Sequence, residues 1–312
     1  MLRLLRNGKA QTVTPPKGEY IVNWQRWRLP LMLAPTMVII IVLFVGSMGY
    51  SFLQSLGYQP NIGNLTLSLD AYASVMFSER YAQQFWQGLG LTMWVAAAST
   101  FASAALAIAC ALLLRQTFVG KKFSSFLFQL NLPVPHLVVA IGMIFLFSQS
   151  GLISRGGTAL GLIERPNQFP IIVRDAGGIG IILTYIWKEV PFFGIIVLAI
   201  LQSIGEDYED LARSLGANRW QRFRHVLLPL IMPGLMSASI IVFAFTFGTY
   251  EVPKLLGVRF PEMLPVMALD FFLNPDLNSR AEGMALSMII AVIVLVLVLI
   301  YMNVSNRAVQ RS

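Results

Sequence analysis

The stretch EDYEDLARSLGANRWQRFRHVLLPLIMPG, residues 206–234, decides how this chain is read. Eight acidic or basic side chains crowd its first nineteen residues, yet long apolar runs lie on either side. Glu206, Asp207, Glu209 and Asp210 fall in what the pattern predicts as the first turns of a helix, where carboxylates complement the positive end of the helix dipole. Gly216 is placed to stop that helix in a left-handed conformation. Between them Tyr208, Leu211, Ala212 and Leu215 recur at spacings of three and four, which gives the helix one apolar face. A helix this short cannot cross a bilayer, so the face needs a protein surface to cover it. A solvated helical hairpin would explain the charges but not that face. After Gly216, ANRWQRFRHVLLP begins a second element with Trp220, Phe223 and Leu227 on one side and Arg219, Arg222 and Arg224 largely on the other. Aromatics flanked by arginines suit a membrane interface, and Pro229 and Pro233 bend the entry into the next apolar run.

Working outward, the composition agrees with membrane flanks. Of 312 residues, 56% are hydrophobic and 12% charged, and the mean hydropathy is +0.68, too apolar for a soluble domain of this size. The formal charge of +8 is spread through short segments between apolar runs, which argues for a membrane topology signal and against nucleic-acid binding. Cys110 is the sole cysteine and lies in an apolar run, so neither a disulfide framework nor a thiolate metal site is expected. The first apolar run starts near Leu31 and, at about 22 residues, exceeds the apolar region of a secretory signal, so it is read as a retained span.

A bilayer core about 30 Å thick needs roughly 20 helical residues. Continuous apolar runs favour helices over the alternation of a barrel. Six spans are predicted, near 31–52, 86–114, 126–148, 178–202, 231–250 and 282–303. Fifteen Lys and Arg fall in residues 1–30, the connection after the second span, the opening stretch and the tail, against seven in the other connections. By the positive-inside rule both termini and the opening stretch are cytoplasmic. The chain is thus a cytoplasmic segment 1–30, one membrane domain 31–303 with a charged loop about 203–230, and a tail 304–312. Residues 53–85 and 149–177 form long outer connections rich in turn-forming residues.

Two more features carry chemistry. YIWKEVPFFG places Lys188 and Glu189 about ten residues into the fourth span, roughly 15 Å deep at 1.5 Å per residue. Charges at such depth face a bundle interior or an aqueous path and have partners, so these two either line a translocation path or are held structurally by neighbouring spans. FGTYEVPKLLG, residues 247–257, closes the fifth span and sets Glu251 at the outer mouth, where it attracts a cation or is simply solvated. There is no G-x-x-x-x-G-K-[ST], since VGKKFSS lacks the first glycine; H-E-x-x-H and G-x-S-x-G are also absent. His136 and His225, the two histidines, sit at an expected helix terminus and in the basic return element, so no catalytic residue and no metal site is expected.

The opening stretch resembles the EAA loop of permease subunits of ATP-binding-cassette importers. Asp210, Leu211 and Ala212 occupy the acidic-small-small start, with Glu209 as the alternative leading acid; Gly216 follows after three residues, and Val226, Leu228 and Pro229 complete the pattern. Leu211 stands where the pattern prefers alanine. The resemblance implies an all-α membrane protein with a type I (MetI-like) transmembrane core of six helices. It implies a coupling helix, with Glu209, Asp210, Leu211, Ala212, Leu215, Gly216, Ala217 and Pro229 meeting a separate ATPase. ATP-Mg belongs to that partner, and this chain binds no cofactor of its own. The further partners implied are a second permease, of a different sequence, and an extracytoplasmic solute-binding protein at a bacterial inner membrane. The segment 247–257 and SRAEGMALSMIIAVI look like importers of the spermidine/putrescine, iron(III) and thiamine type, implying a small polar or cationic solute such as a polyamine. The rival is an ion-gradient-driven secondary transporter, which predicts inverted repeats and broken central helices; neither is legible in the sequence.

Overall fold

The computed structural model describes residues 24–115, 121–204 and 207–309. The first 23 residues, the Gly205–Glu206 step and the last three residues of the tail lie outside them, and with them most of the expected N-terminal segment. Among the described residues all regular elements are helical, and six helices are long and apolar enough to cross a membrane. The chain divides into two compact units, Met1–Tyr50 and Ser51–Ser312.

The first unit holds most of α1 (Trp24–Ser55). Its residues are apolar on every side, with Met32, Ile39, Leu43 and Phe44 all exposed. Such a helix is suited to lipid, where its backbone groups are satisfied internally and its side chains meet hydrocarbon.

The second unit is built on α3 (Ala82–Arg115) and α7 (Ile179–Ile204). Alanines make their close approach possible: Ala104, Ala107 and Ala111 recur along α3 and join Phe193, Val197 and Leu201 of α7 in one buried cluster. α10 (Leu228–Gly248) completes it with Ile231, Leu235, Ala238 and Val242. Toward the other end α2 (Asp70–Phe77), α12 (Leu264–Phe272) and α13 (Ser279–Val309) bring Val75, Leu264, Met267 and Leu286 against Phe85 and Phe247. A third cluster, with Ala140, Ile181, Tyr185, Val252 and Leu256, joins α5 (His136–Phe147) and α11 (Glu251–Leu256) to α7.

Four predicted spans match observed ones within a few residues, and the fifth begins earlier than expected, at Arg219. The third differs. In place of one helix over 126–148, α4 (Lys121–Leu130) ends, residues 131–135 turn, and α5 starts at His136. Pro133 and Pro135 cause the interruption, because neither can donate a helical hydrogen bond and each disfavours helix in the residue before it. The interruption precedes the third observed span, which runs over residues 136–159. The first outer connection contains α2 rather than turns alone, and α6 (Leu152–Ala159), expected in the second, falls within the third observed span.

Candidate functional site

The charged loop folds as a short helix, a tight turn and a return. α8 (Asp207–Ser214) carries three acids in its first turn and Arg213 in its last, the order its dipole favours. Gly216 adopts φ +83°, with its N–H donating to Arg213 O at 2.9 Å and Ala217 N–H donating to Ala212 O at 3.0 Å. A Cβ at Gly216 would meet nothing within 4 Å, so the glycine is needed for its dihedral and not for space. Asn218 then caps α9 (Arg219–Arg222): its side chain accepts from Gln221 N–H while Gln221 Oε1 accepts from Asn218 N–H, both at 2.8 Å. A π-turn over Phe223–Leu227 leads into α10.

Tyr208, Leu211, Leu215 and Trp220 are exposed, leaving an apolar row uncovered. The two candidate leading acids part company. Asp210 pairs loosely with Arg213 at 3.7 Å on open surface, while Glu209 turns to Arg222 of the return at 3.6 Å, with both side chains mostly enclosed. Ala212 and Ala217 are half-buried, and Pro229 lies exposed at the second position of α10.

Lys188 and Glu189 are both buried, at 6% and 8% exposure, and contact the turn between α4 and α5. Lys188 Nζ donates to Asn131 O at 2.9 Å and to Leu132 O at 2.7 Å, carbonyls that the interrupted helix leaves without helical partners. Asn131 Nδ2 in turn donates to Trp187 O. Glu189 Oε1 accepts from His136 Nε2 at 2.9 Å, which fixes the first residue of α5 against α7. The His136 ring rests near Phe245 and Tyr185, at centroid distances of 4.8 and 6.3 Å. A cavity of about 330 Å³ opens beside this cluster, lined by Pro133, Pro135, His136, Lys188, Glu189 and Phe192 among others. Sequence reasoning found both charges but neither His136 nor Asn131 as their partners; the signal was LPVPH, whose prolines announce a break that needs polar support.

A profile of binding-protein-dependent transport system inner membrane components matches residues 103–311. The chain belongs to that family. YcjO of Escherichia coli (strain K12), an inner membrane ABC transporter permease protein, is 30% identical over 212 residues, 66% of this chain and 70% of YcjO. ThiP of Brucella suis biovar 1 (strain 1330), a thiamine transport system permease protein, is 31% identical over 169 residues, 53% of this chain but 30% of ThiP. The fold is shared with a bacterial ABC transporter involved in the import of the acidic polysaccharide alginate, at TM-score 0.75 and 22% identity over 91% of this chain and 96% of that one. The MetNI methionine ABC transporter aligns at TM-score 0.52 and 18% identity over 75% of this chain and 99% of that one. This is an inner-membrane ABC-importer permease subunit.

In this permease Glu251 is the first residue of α11 and is exposed, at the end of the helical bundle opposite α8. Beside it in sequence, Lys254 pairs with Asp270. Glu262 is buried and accepts from Gln84, and burial followed by the nearby Asp270 raises its pKa above the usual carboxylate value. A cavity of about 540 Å³ is lined by Arg174, Lys254, Arg259, Glu262 and Asp270. Glu251 does not line it. Among the described residues no group of three or more His, Cys, Asp or Glu side chains is arranged to hold a metal ion.

Proposed function

We propose that the permease forms half of a solute pathway and is driven by a separate ATPase that receives α8 as a coupling helix. The observation that carries this reading is the set of exposed apolar side chains Tyr208, Leu211 and Leu215 on and just after α8, an element too short to enter a bilayer. Glu209, Asp210, Ala212, Gly216, Ala217 and Pro229 shape and present that set, and ATP-Mg stays on the partner. A second permease of different sequence completes the path, and an extracytoplasmic binding protein delivers the solute. The loop and both termini face the cytoplasm, as the distribution of Lys and Arg favours.

The solute is small and polar or cationic, with a polyamine as the specific candidate. The resemblance at 247–257 supports this, as do the carboxylates of Glu251 at the mouth and Glu189 beside the inner cavity. The contacts of Lys188 favour a structural role for it, holding the loop that Glu189 and His136 flank.

Affinity purification of the tagged permease in mild detergent tests the assembly. A P-loop ATPase and a second six-span chain recovered in stoichiometric amounts are expected. A permease that purifies alone and transports without ATP would return the ion-gradient reading. Equilibrium dialysis of the accompanying binding protein against putrescine, spermidine and thiamine tests the solute.

A further inference from the structure

The turn between α8 and α9 has little packing to stiffen it: Gly216 and Asn218 are exposed, and the space around the glycine is open. A force on the apolar row of α8 would fold the helix over at this turn unless something ties it sideways to the return. Among the described residues, a side-chain contact between Glu209 and Arg222 does so. Glu209 lies on a flank about 100° around the helix from Tyr208, away from the apolar row. It meets Arg222 at the end of α9, and only 21% and 12% of the two side chains is exposed. The neighbouring pair Asp210–Arg213 lies within α8 and is 64% and 69% exposed, so it braces nothing across the turn.

The return is built to aim Arg222. Pro229 has no N–H for His225 O, and its ring would strike that carbonyl in a regular α-helix. The chain widens instead into the π-turn Phe223–Leu227, where Leu228 N–H donates to Phe223 O. The extra residue offsets the face of α9 from that of α10. Arg222 Nε is then buried without a hydrogen-bond partner, so the guanidinium is desolvated and depends on the carboxylate beside it.

We propose that the Glu209–Arg222 pair is a brace across the coupling turn, and that Arg222 is a positioning residue that makes α8 and the base of α10 move as one body. The inference deepens the coupling-helix reading and rests on it for its functional meaning. A force applied at Tyr208, Leu211 and Leu215 then reaches α10 instead of being lost at Gly216.

The test uses the permease with its co-purifying partners in nanodiscs, with spin labels at Ser214 of α8 and Ser237 of α10 in a Cys110→Ser background. The parent protein should give one narrow distance, unchanged by ATP with vanadate. Glu209→Arg or Arg222→Glu should raise a second distance about tenfold in population, equivalent to about 1.4 kcal/mol. The double reversal should restore the narrow distance, and the milder Glu209→Gln should show the same broadening if a reversed charge prevents folding. Arg213→Gln should behave as the parent. Single variants indistinguishable from the parent, or a double reversal that fails to restore it, would overturn the brace. So would loss of the ATPase in both single variants that the double does not regain, because Glu209 would then be contacting the ATPase directly. Absence of any ATPase from the parent preparation would instead sink the coupling reading, while the distances still decide the brace.

Discussion

Gly216 illustrates how much one dihedral controls. Its φ of +83° lies where a β-branched side chain is strained by about 1–3 kcal/mol, and no neighbour competes for the space. Gly216→Val should therefore displace α8 without unfolding the spans, seen as reduced ATPase recovery at near-normal permease yield; unchanged recovery would count against the coupling role. Lys188 supplies the opposite case, a buried charge that hydrogen-bonds to two backbone carbonyls. Lys188→Met would leave the Leu132 carbonyl unpaired, at about 1–3 kcal/mol, and Asn131 O with only its turn bond from Val134 N–H, and should lower the thermal midpoint in detergent. Glu189→Gln keeps an acceptor for His136 and should be milder, so equal losses would contradict this division of labour. Glu262 adds a pH effect outside the spans. Its pKa is raised by burial, so the folded state holds a proton that the unfolded state has lost. Stability should therefore fall as pH rises from the ordinary carboxylate range through the raised value, and Glu262→Gln should flatten that slope.

Between elements, contact distance decides which small residues are required. A Cβ on Gly180 would lie 2.4 Å from Ile172 O, a backbone atom with no side-chain freedom to retreat. At Gly194 the clash is with the tip of the Phe128 ring, also at 2.4 Å. Gly180→Ala should destabilise by about 1–3 kcal/mol with no simple rescue, whereas Gly194→Ala should be substantially relieved by Phe128→Leu. Melting curves of the two single variants and the double would separate these outcomes. The same scale explains the misread third span. Its apolar run is continuous enough to look like one helix, but Pro133 and Pro135 interrupt it, and the carbonyls of Asn131 and Leu132 at the interruption accept from Lys188 of α7.

For the whole molecule the main expectation is topological. Ser214 and Asn167 lie toward opposite ends of the spans, one on α8 and the other in the connection between the third and fourth. A cysteine at position 167 should react with a membrane-impermeant maleimide in intact cells, and one at 214 only after permeabilisation; the reverse pattern would invert the orientation. Family membership and the shared fold make the chain an importer permease, while the solute depends on chemistry that relatives of one fold do not hold in common.

Hydrophobic run length, charge bias and a glycine between acidic and basic segments were enough to establish six helical spans, the short helix of the loop and its left-handed stop. These are local properties, set within a few turns of chain by bilayer thickness, helix periodicity and backbone sterics. The tertiary structure alone decided that Glu189 pairs with His136, 53 residues away, that Lys188 closes a helix break, and that Glu209 rather than Asp210 faces Arg222. Those partners depend on how each helix is rotated and packed against others, and periodicity within one helix carries no record of where its neighbours stand.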